Sequence, residues 1–302
     1  MKTIITNSVL SGIKNDPDGK SNFSSQPYKD LECKVEGGLR FRDIYKCSFP
    51  DKPLITVITV VFNGAETLRD TIESVMKQSY DNVEYIVVDG GSSDVTVDIL
   101  RQYNHVIDYW LSEKDGGIYD AMNKGAGLAS GDYIGMLNAD DMFTDENVLQ
   151  DIADRFCMTK VDAVFSCLNI VDKNNLKKIL RKYRVAKLNS TLLRIGIMPA
   201  HPTFYCKKSC YKQAGAYKTT YKIAADFEML VRLLIQHKIS WAFIDKVTVT
   251  MRAGGVSTRG VMASVKLNLE IIRACKENGL YSNLLFLALK LPIRLFELIR
   301  TA

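Results

Sequence analysis

Acidic side chains form four clusters along this sequence, and their types fit the binding of a divalent cation and of sugar hydroxyls. They are Asp89, Asp115, the run Asn138–Asp141 (NADD), and Asp226 with Glu228. Mg²⁺ and Mn²⁺ prefer a few carboxylate oxygens together with water and substrate phosphates. A single Asp after a strand is more simply a turn former or a helix cap, so only several clusters at one edge of a sheet indicate a site.

The elements that precede these clusters decide whether the carboxylates meet. Leu54–Val61 is a continuous β-branched run, typical of a strand buried on both faces, and Glu84–Val88, Val106–Leu111 and Tyr133–Leu137 are further apolar strands. Apolar residues at helical spacing separate them, as in Asp94–Tyr103. This alternation predicts an α/β fold, a Rossmann-like, mainly parallel sheet with helices on both faces. Ligands of such sheets bind beyond the carboxyl ends of the strands, where three of the clusters lie.

Local patterns extend this prediction along the chain. Asn63 followed by Glu66 predicts a capping box that starts the helix after the first strand. Further elements are expected as a helix at Asn147–Phe156, strands at Asp162–Leu168 and Leu176–Tyr183 that could pair, a helix at Asp226–Gln236, a strand at Trp241–Met251 and a helix at Val261–Glu277.

Composition excludes several classes of protein. The 302 residues carry 40 Lys and Arg against 34 Asp and Glu, and a net charge of +6 is too small and too spread out to indicate nucleic-acid binding. The seven cysteines match no zinc pattern and predict free thiols in a reducing compartment. A polar N-terminus predicts no signal peptide, and no apolar run is long enough to span a membrane. We therefore expect a cytoplasmic protein.

Four motifs together resemble the nucleotide-sugar-binding half of the family-2 glycosyltransferases, which have the GT-A fold. They are Ile58–Asn63 (ITVVFN), Val87–Asp94 (VVDGGSSD), Asp115–Gly125 (DGGIYDAMNKG) and Asn138–Asp141 (NADD). Each motif is weak alone, but their order and spacing agree with the family. The resemblance continues less sharply to about residue 255. Within the family it looks closest to enzymes of bacterial capsule, exopolysaccharide or colanic-acid assembly.

The resemblance implies that the first motifs bind the donor. Val61 and Asn63 lie where the family's first loop holds the nucleotide base, and Asp89 matches the carboxylate that contacts the nucleoside. A carboxylate accepts hydrogen bonds from a uracil or guanine N–H, which suits that role. Asp115 matches a second acid of the donor site, beside glycines that allow close approach. Without the resemblance, Asn63 is equally well a helix cap.

Asn138-Ala139-Asp140 stands at the position of the family's DxD metal motif. The resemblance implies a Mn²⁺ or Mg²⁺ ion held chiefly by Asp140, with Asp141 in reserve, that bridges the two phosphates as a Lewis acid. The sequence departs from the family at Asn138, which accepts a hydrogen bond but brings no charge. The alternative for this run is an Asx turn that closes the strand.

Asp226, in the run Ala224–Glu228, resembles the family's catalytic base at the start of a helix. An inverting transfer is a single in-line displacement in which a positioned base takes the acceptor's proton. Backbone N–H groups at a helix N-terminus are expected to keep this carboxylate ionised. The alternative is that Asp226 is only a helix cap, and Glu228 ranks second as a base because it points elsewhere on the helix.

Two basic residues complete the predicted site. His201 follows Pro199 in a predicted loop, where family members often carry His or Gln near the acceptor or the diphosphate. A lone His is otherwise more often structural. Arg252 begins the run Arg252–Ser257, which resembles the family's flexible C-terminal site loop, and its guanidinium suits diphosphate oxygens. A surface glycine turn is the alternative for that run.

The predicted organisation has three parts. Residues 1–52 form an N-terminal extension, residues 53–255 the GT-A domain, and residues 256–302 a tail of amphipathic C-terminal helices. In Tyr281–Arg300 a polar stripe interrupts an otherwise apolar surface, which suits the interface of a membrane with anionic lipid. The same segment could equally pack on its own domain or on a second subunit. A peripheral place at the cytoplasmic face of the membrane follows from the first alternative.

The sequence thus predicts an inverting glycosyltransferase that moves a sugar from a nucleotide diphosphate sugar, with UDP favoured, to an acceptor hydroxyl. The resemblance implies a saccharide or lipid-linked saccharide as the acceptor. The alternative is a catalytically inactive, nucleotide-binding scaffold docked on the membrane in a polysaccharide assembly complex. A nucleotidyltransferase would need a phosphate loop rich in Gly, Lys and Arg after the first strand, and Phe62–Glu66 (FNGAE) is not one.

Overall fold

A computed structural model describes residues 34–254 and 260–290 of the chain. Short 3₁₀ turns lie at Leu39–Arg42 and His201–Thr203, and a π turn at Arg232–Gln236 continues α7. The strands are β1 (Val35–Gly37), β2 (Ile55–Val61), β3 (Val83–Asp89), β4 (Tyr109–Ser112), β5 (Tyr133–Met136), β6 (Asp141–Phe143), β7 (Ala163–Asp172), β8 (Asn175–Tyr183), β9 (Tyr205–Lys207) and β10 (Trp241–Arg252). The helices are α1 (Leu68–Met76), α2 (Thr96–Gln102), α3 (Ile118–Leu128), α4 (Val148–Thr159), α5 (Ser190–Arg194), α6 (Lys208–Ala214), α7 (Ala225–Val231), α8 (Gly260–Glu277) and α9 (Leu284–Ala288).

One sheet runs through the described residues in the order β1-β4-β3-β2-β5-β9-β7-β10-β6, and β8 pairs with β7 beside it. Strands β2, β3, β4 and β5 are parallel, and so are β7 and β10. The short strands β1, β6 and β9 join antiparallel, and β8 returns antiparallel along β7 as expected. The predicted α/β class, with a mainly parallel sheet, is confirmed.

Helices cover both faces of the sheet because alternate residues of the central strands point to opposite sides. Ile58 and Val60 of β2 pack in a core with α3, α7 and α8. Ile55 and Val57 pack in a second core with α1, α2 and α4. Every residue of β2 and β3 is buried, as the continuous apolar runs predict.

The described part of the predicted N-terminal extension joins the same sheet. Strand β1 pairs with β4, and two basic side chains after it bond to acids of the sheet layer. The Arg40 guanidinium donates to the Glu84 carboxylate at 2.6 Å, and the Lys46 ammonium donates to Asp108 at 2.9 Å. Residues 1–33, the larger part of that extension, lie outside the described residues.

Helix α8 of the predicted C-terminal tail packs on the domain rather than standing apart from it. Ile271, Ala274 and Cys275 are buried in the core shared with α7. Helix α9 ends at Ala288, and residues 291–302 of the tail lie outside the described residues. Within residues 34–254 and 260–290, every helix is too short or too polar to cross a bilayer.

Candidate active site

The parallel strands β2 to β5 bring their carboxyl ends to one rim of the sheet. Val61 ends β2 and Asp89 ends β3, and the two strands pair residue by residue up to that point. The N–H of Gly90 donates to the Val61 carbonyl at 2.9 Å, which joins the two loops at the rim. Asp115 follows β4 by three residues and Asn138 follows β5 by two, so both lie beyond the same edge.

Asp89 is saturated by hydrogen bonds from its own chain. Its carboxylate is fully buried and accepts from the N–H groups of Gly91 (3.2 Å) and Ser92 (2.9 Å), the Ser112 hydroxyl (2.6 Å) and the Ser92 hydroxyl. Ser92 in turn accepts from the N–H of Asn63 at 2.7 Å. In this structure Asp89 therefore fixes the shape of the loops that follow β2 and β3.

The capping box predicted at Asn63 is wrong. Helix α1 begins at Leu68, and the Asn63 amide oxygen accepts instead from the N–H of Ser93 at 2.9 Å. Asn63 also has a φ of 50°, a left-handed conformation that Asn tolerates better than most residues. The side chain therefore joins two rim loops instead of starting a helix.

Asp115 lies against the loop after β3. A Cβ atom at Gly90 would stand 2.7 Å from Asp115 Oδ2, so any other residue here would push the Asp115 carboxylate aside. Asp115 Oδ1 accepts from the N–H of Gly117 at 2.8 Å, just before α3. Burial raises the pKa of Asp115. The loops that follow β2, β3 and β4 are thus held together by side chains of the first three motifs.

The turn Asn138–Asp141 carries two buried oxygens without hydrogen-bond partners among the described residues, Asn138 Oδ1 and Asp141 Oδ1. The Asn138 amide N–H donates to Asp141 Oδ2 at 3.2 Å, and the Asp141 N–H donates to the Asn138 carbonyl at 3.0 Å. Burial raises the pKa of Asp140. Burial, and then the neighbouring charge of Asp140, raise that of Asp141 well above its usual range. These are the properties of an acidic site that a cation would stabilise.

Arg252 is the last residue of β10 and not a loop residue, which corrects the prediction made for the run Arg252–Ser257. β10 pairs antiparallel with β6, so Arg252 lies beside the Asn138–Asp141 turn. Its guanidinium is 8% exposed, donates to the Asp140 carbonyl at 3.0 Å and pairs with the Asp70 carboxylate of α1. Residues 255–257 of that run lie outside the described residues.

Asp226 lies in the first turn of α7 and faces His201 across a small cavity. Asp226 Oδ1 accepts from the N–H of Phe227 at 2.8 Å and from the Tyr119 hydroxyl at 3.4 Å. His201 Nε2 is 3.0 Å from the Tyr217 hydroxyl. The remaining wall of the cavity is largely apolar, consisting of Met198, Pro199, Phe204, Met229 and Leu230.

Burial shifts the pKa values of both titratable groups that face each other in this cavity. It raises the pKa of Asp226 and lowers the pKa of His201, while each group's charge partly offsets the effect on the other. The N–H of Phe227 acts in the expected direction on Asp226, but desolvation is the larger effect. The net shift in the pKa of Asp226 is therefore upward, although the helix N-terminus contributes in the predicted sense. A carboxylate with a raised pKa is a stronger base.

Tyr119 joins the start of α3 to Asp226. It follows Asp115 by four residues in the first turn of α3, and its hydroxyl donates to the Ile223 carbonyl at 2.5 Å as well as to Asp226. Two residues that the sequence reasoning did not propose, Tyr119 and Tyr217, thus line the site. Tyr119 belongs to the motif Asp115–Gly125, and this was the sequence signal that could have identified it as a site residue.

The His201 turn lies at the same edge of the sheet as Asn138. It comes immediately before β9, which pairs antiparallel with β5 at Gly135 and Tyr205, so the chain before β9 extends past the carboxyl end of β5. Within the described residues, no hydrogen bond joins Asp226 to the Asn138–Asp141 turn directly. Asp226 instead neighbours His201 across the small cavity and Tyr119 through its hydroxyl.

Two buried acids near Asp226 have other partners. Glu228 is fully buried and pairs with Arg232 at 2.9 Å and Lys218 at 2.8 Å, which leaves it unsuited to act as the base. Glu270 of α8 accepts the N–H groups of Lys222, Ile223 and Ala224, each at 2.9 Å. Glu270 therefore fixes the backbone that leads into α7.

A mainly parallel sheet between helices, with acidic side chains on its carboxyl rim, is the architecture of the GT-A class of glycosyltransferases. The sequence model of Glycosyl transferase family 2 matches residues 56–216, more than half of the chain. The chain therefore belongs to glycosyltransferase family 2, as the four motifs predict.

The curated relatives agree with this assignment. An uncharacterized glycosyltransferase of Mycobacterium tuberculosis is 32% identical over 188 residues, which cover 60% of this chain and 68% of the relative. A PGL/p-HBAD biosynthesis glycosyltransferase of Mycobacterium bovis is 27% identical over 184 residues, covering 60% and 69%. An uncharacterized glycosyltransferase of Rickettsia typhi is 27% identical over 199 residues, covering 64% and 61%.

Solved structures share the fold. TarS residues 1–349 of Staphylococcus aureus superimpose with a TM-score of 0.57 at 17% identity, over 75% of this chain and 66% of that one. The mannosyltransferase PcManGT from Pyrobaculum calidifontis, in complex with GDP-Man and Mn²⁺, gives a TM-score of 0.56 at 18% identity, over 79% and 68%. The chain thus spans about two thirds of the length of the proteins it matches.

Proposed function

We propose that this chain is an inverting glycosyltransferase that uses a nucleotide diphosphate sugar, with UDP favoured, and an acceptor hydroxyl of a lipid-linked or growing polysaccharide. One observation carries the proposal: a turn with unpartnered buried oxygens, Asn138–Asp141, and a desolvated acid, Asp226, lie on one rim of the sheet. TarS has been solved in complex with UDP and with UDP-GlcNAc, and PcManGT in complex with GDP-Man, which supports a donor of this class.

The donor would lie along the loops that follow β2 to β5. Val61, Asn63 and Asp89 shape the nucleoside end through the bonds that connect their loops. Because the Asp89 carboxylate is buried and already accepts four hydrogen bonds, we assign it to holding this surface. Asp115 lies next along the rim, where its partly buried carboxyl meets ribose or sugar hydroxyls.

The Asn138–Asp141 turn fits a divalent cation. Asn138 Oδ1 and Asp141 Oδ1 lack partners, and the half-buried Asp140 carboxyl lies beside them. Among the described residues no three His, Cys, Asp or Glu side chains are grouped at metal-site spacing. The oxygens of Asn138, Asp140 and Asp141 therefore suit a Mn²⁺ or Mg²⁺ ion that takes its other ligands from phosphate oxygens and water. When bound, the ion supplies charge neutralisation for the departing diphosphate.

In the transfer step the acceptor oxygen bonds to the anomeric carbon as the bond from that carbon to the diphosphate breaks. The electron pair of the broken bond leaves with the nucleoside diphosphate, and the acceptor's proton passes to Asp226. His201, whose pKa is lowered by burial, accepts or donates one hydrogen bond beside the acceptor. Arg252 acts through Asp140, whose carbonyl it holds, and its charge lies near the diphosphate end.

A peripheral membrane contact by the C-terminal tail is also part of the proposal. Leu284, Leu285 and Leu289 are exposed around α9, and Met262 and Leu269 are exposed on α8. Exposed apolar side chains on short amphipathic helices suit the interface of a bilayer. This contact would bring the rim near a lipid-linked acceptor.

The test is a thermal-shift panel of nucleotide sugars with and without Mn²⁺ or Mg²⁺. A bound donor at one hundred times its Kd should stabilise the fold by about 2.7 kcal/mol. We expect UDP-sugars to do so only with metal, and Asp140→Ala to remove the effect of the metal.

The matched control is Asp51→Ala, an exposed acid with no ion pair among the described residues. It should keep the wild-type response. No stabilisation by any donor, or an Asp140→Ala variant with wild-type metal dependence, would overturn the proposal. Donor binding without any transfer or hydrolysis would favour the inactive scaffold instead.

A further inference from the structure

The hairpin of β7 and β8 concentrates the positive charge of the molecule. Residues 173–187, here the basic hairpin, contain seven Lys and Arg and no Asp or Glu. The whole chain has a net charge of only +6, so the rest of the molecule is close to neutral. The expectation that the basic excess is evenly spread is therefore wrong.

The lysines of the basic hairpin are exposed to solvent. Lys173, Lys177, Lys178, Lys182 and Lys187 are exposed, and none makes an ion pair with an acid of the described residues. Arg184 is different, because it pairs with Asp245 at 2.8 Å. Charge left unneutralised on a projecting strand destabilises the isolated protein slightly, which indicates an anionic partner.

The backbone holds the basic hairpin in a defined shape. The Asp172 carboxylate accepts the N–H groups of Asn174 (2.9 Å) and Asn175 (3.2 Å) and closes the turn. Within the described part of the chain β8 pairs only with β7. Its far edge therefore has no strand partner among the described residues, and the side chains from Asn175 to Leu180 are exposed.

The basic hairpin lies at the rim that carries the candidate active site. β7 runs parallel to β10, with Val171 opposite Arg252, and the N–H of Ala253 donates to the Val171 carbonyl at 2.9 Å. At the other end of β8, the Tyr183 hydroxyl donates to the Met198 carbonyl at 2.6 Å, three residues before His201. The hairpin thus stands between Arg252 and the His201 turn.

Apolar side chains alternate with the lysines on this strand. Leu176, Ile179 and Leu180 are 39%, 39% and 37% exposed although they belong to a regular strand. A soluble polyanion would be bound by cations alone, whereas exposed Leu and Ile among lysines suit the headgroup region of a bilayer.

We propose that the basic hairpin docks the protein on an anionic lipid surface with the active-site rim turned towards the bilayer. The lysines meet lipid phosphates, and the three apolar side chains enter the headgroup layer. Docking itself requires neither donor nor metal. Its use in presenting a lipid-linked acceptor rests on the proposed function.

Sedimentation with vesicles, without nucleotide or metal, tests the docking. Wild-type protein should bind phosphatidylcholine vesicles containing one third phosphatidylglycerol and bind pure phosphatidylcholine far more weakly. The triple variant Lys177→Gln/Lys178→Gln/Lys182→Gln should lose roughly 100-fold in affinity for the anionic vesicles, since each lysine near such a surface contributes on the order of 1 kcal/mol.

The charge-matched control is Lys160→Gln/Lys212→Gln/Lys238→Gln, whose exposed lysines lie towards the amino ends of β7 and β10, away from the rim. It should bind anionic vesicles like the wild type. Equal losses in both variants, or unchanged binding by the hairpin variant, would overturn the proposal. Melting temperatures and donor-induced thermal shifts of both variants are measured in parallel, so failed docking is distinguished from failed donor binding.

Discussion

Asp89 and Asp226 are two carboxylates of one rim that the chain treats in opposite ways. Asp89 is fully buried and accepts four hydrogen bonds from the loops around it. Asp226 accepts one short bond from the N–H of Phe227 and a longer one from Tyr119, and burial raises its pKa. A saturated carboxylate fixes its surroundings, whereas a desolvated and weakly bonded one is ready to take a proton. The sequence positions of the two acids, Asp89 at a strand end and Asp226 at a helix start, do not distinguish these two roles.

The largest expected effect is that of Asp226→Asn on turnover. Asn keeps the shape of the side chain but cannot accept the acceptor's proton, so kcat should fall by roughly 10²- to 10⁴-fold. Donor affinity should be retained because the base acts in the transition state. Initial rates and donor titrations measure the two effects, with exposed Asp98→Asn on α2 as the control.

The same variant has a pH signature in stability. Because burial raises the pKa of Asp226 above its ordinary 3.8, the folded state holds the proton more tightly than the unfolded chain. The contribution of this group to wild-type stability therefore declines as the pH rises from 3.8 to the raised pKa of the folded state. The Asn variant should gain in melting temperature relative to wild type over the same range. A constant difference at all pH values, or near-normal kcat, would remove the role assigned to Asp226.

Asp89→Asn should show the reverse profile, with the larger effect on stability. In the variant one carboxylate oxygen becomes an NH₂ group, which faces donors of the loops and cannot accept their hydrogen bonds. An unsatisfied buried group of this kind costs about 1–3 kcal/mol. Urea unfolding measures this loss, and Ser112→Ala, which removes one of the four donors, should lose less. If Asp89→Asn were as stable as wild type but as inactive as Asp226→Asn, the contrast between the two acids would be wrong.

Tyr119→Phe should have the smallest effect, a shift in the pH profile of kcat. The Tyr119 hydroxyl, kept protonated by burial and by the nearby charge of Asp226, lowers the pKa of that acid by donating to it. Without the hydroxyl the pKa of Asp226 rises, so the acid limb of the profile should move to higher pH. At pH values well above this acid limb, kcat should change little.

Tyr103→Phe is the matched control for that shift. The Tyr103 hydroxyl donates to Glu73 at 3.1 Å, on the opposite face of the sheet from α3 and α7. Its pH profile should equal that of the wild type. An unmoved limb in Tyr119→Phe would show that the 3.4 Å contact has no influence on the base.

Sequence reasoning succeeded where burial dominates. Strands β2, β3 and β5 follow from continuous apolar runs, and the rim follows from their parallel order. The three-residue strands β1, β6 and β9 escaped prediction because their pairing depends on partners distant in the sequence.

The candidate site was predicted as a set of residues but not as a set of environments. The motifs placed Asp89, Asp115 and Asn138 beyond neighbouring strands, as observed. The Ser112 bond to Asp89, the Tyr119 bond to Asp226 and the ion pair of Arg252 with Asp70 join side chains that are 23, 107 and 182 positions apart. No local pattern contains that information, and the same limit hid Tyr217.

Glu270 ties helix α8 to the backbone around Asp226. Its carboxylate, on α8, is the acceptor for three consecutive amides ahead of Asp226, and both residues lie outside the segment 56–216 that matches the family. A chimera that took α8 from a relative without an acid at this position would leave those amides without their acceptor. The backbone that leads into Asp226 is therefore fixed by a helix that lies outside the segment shared with the family.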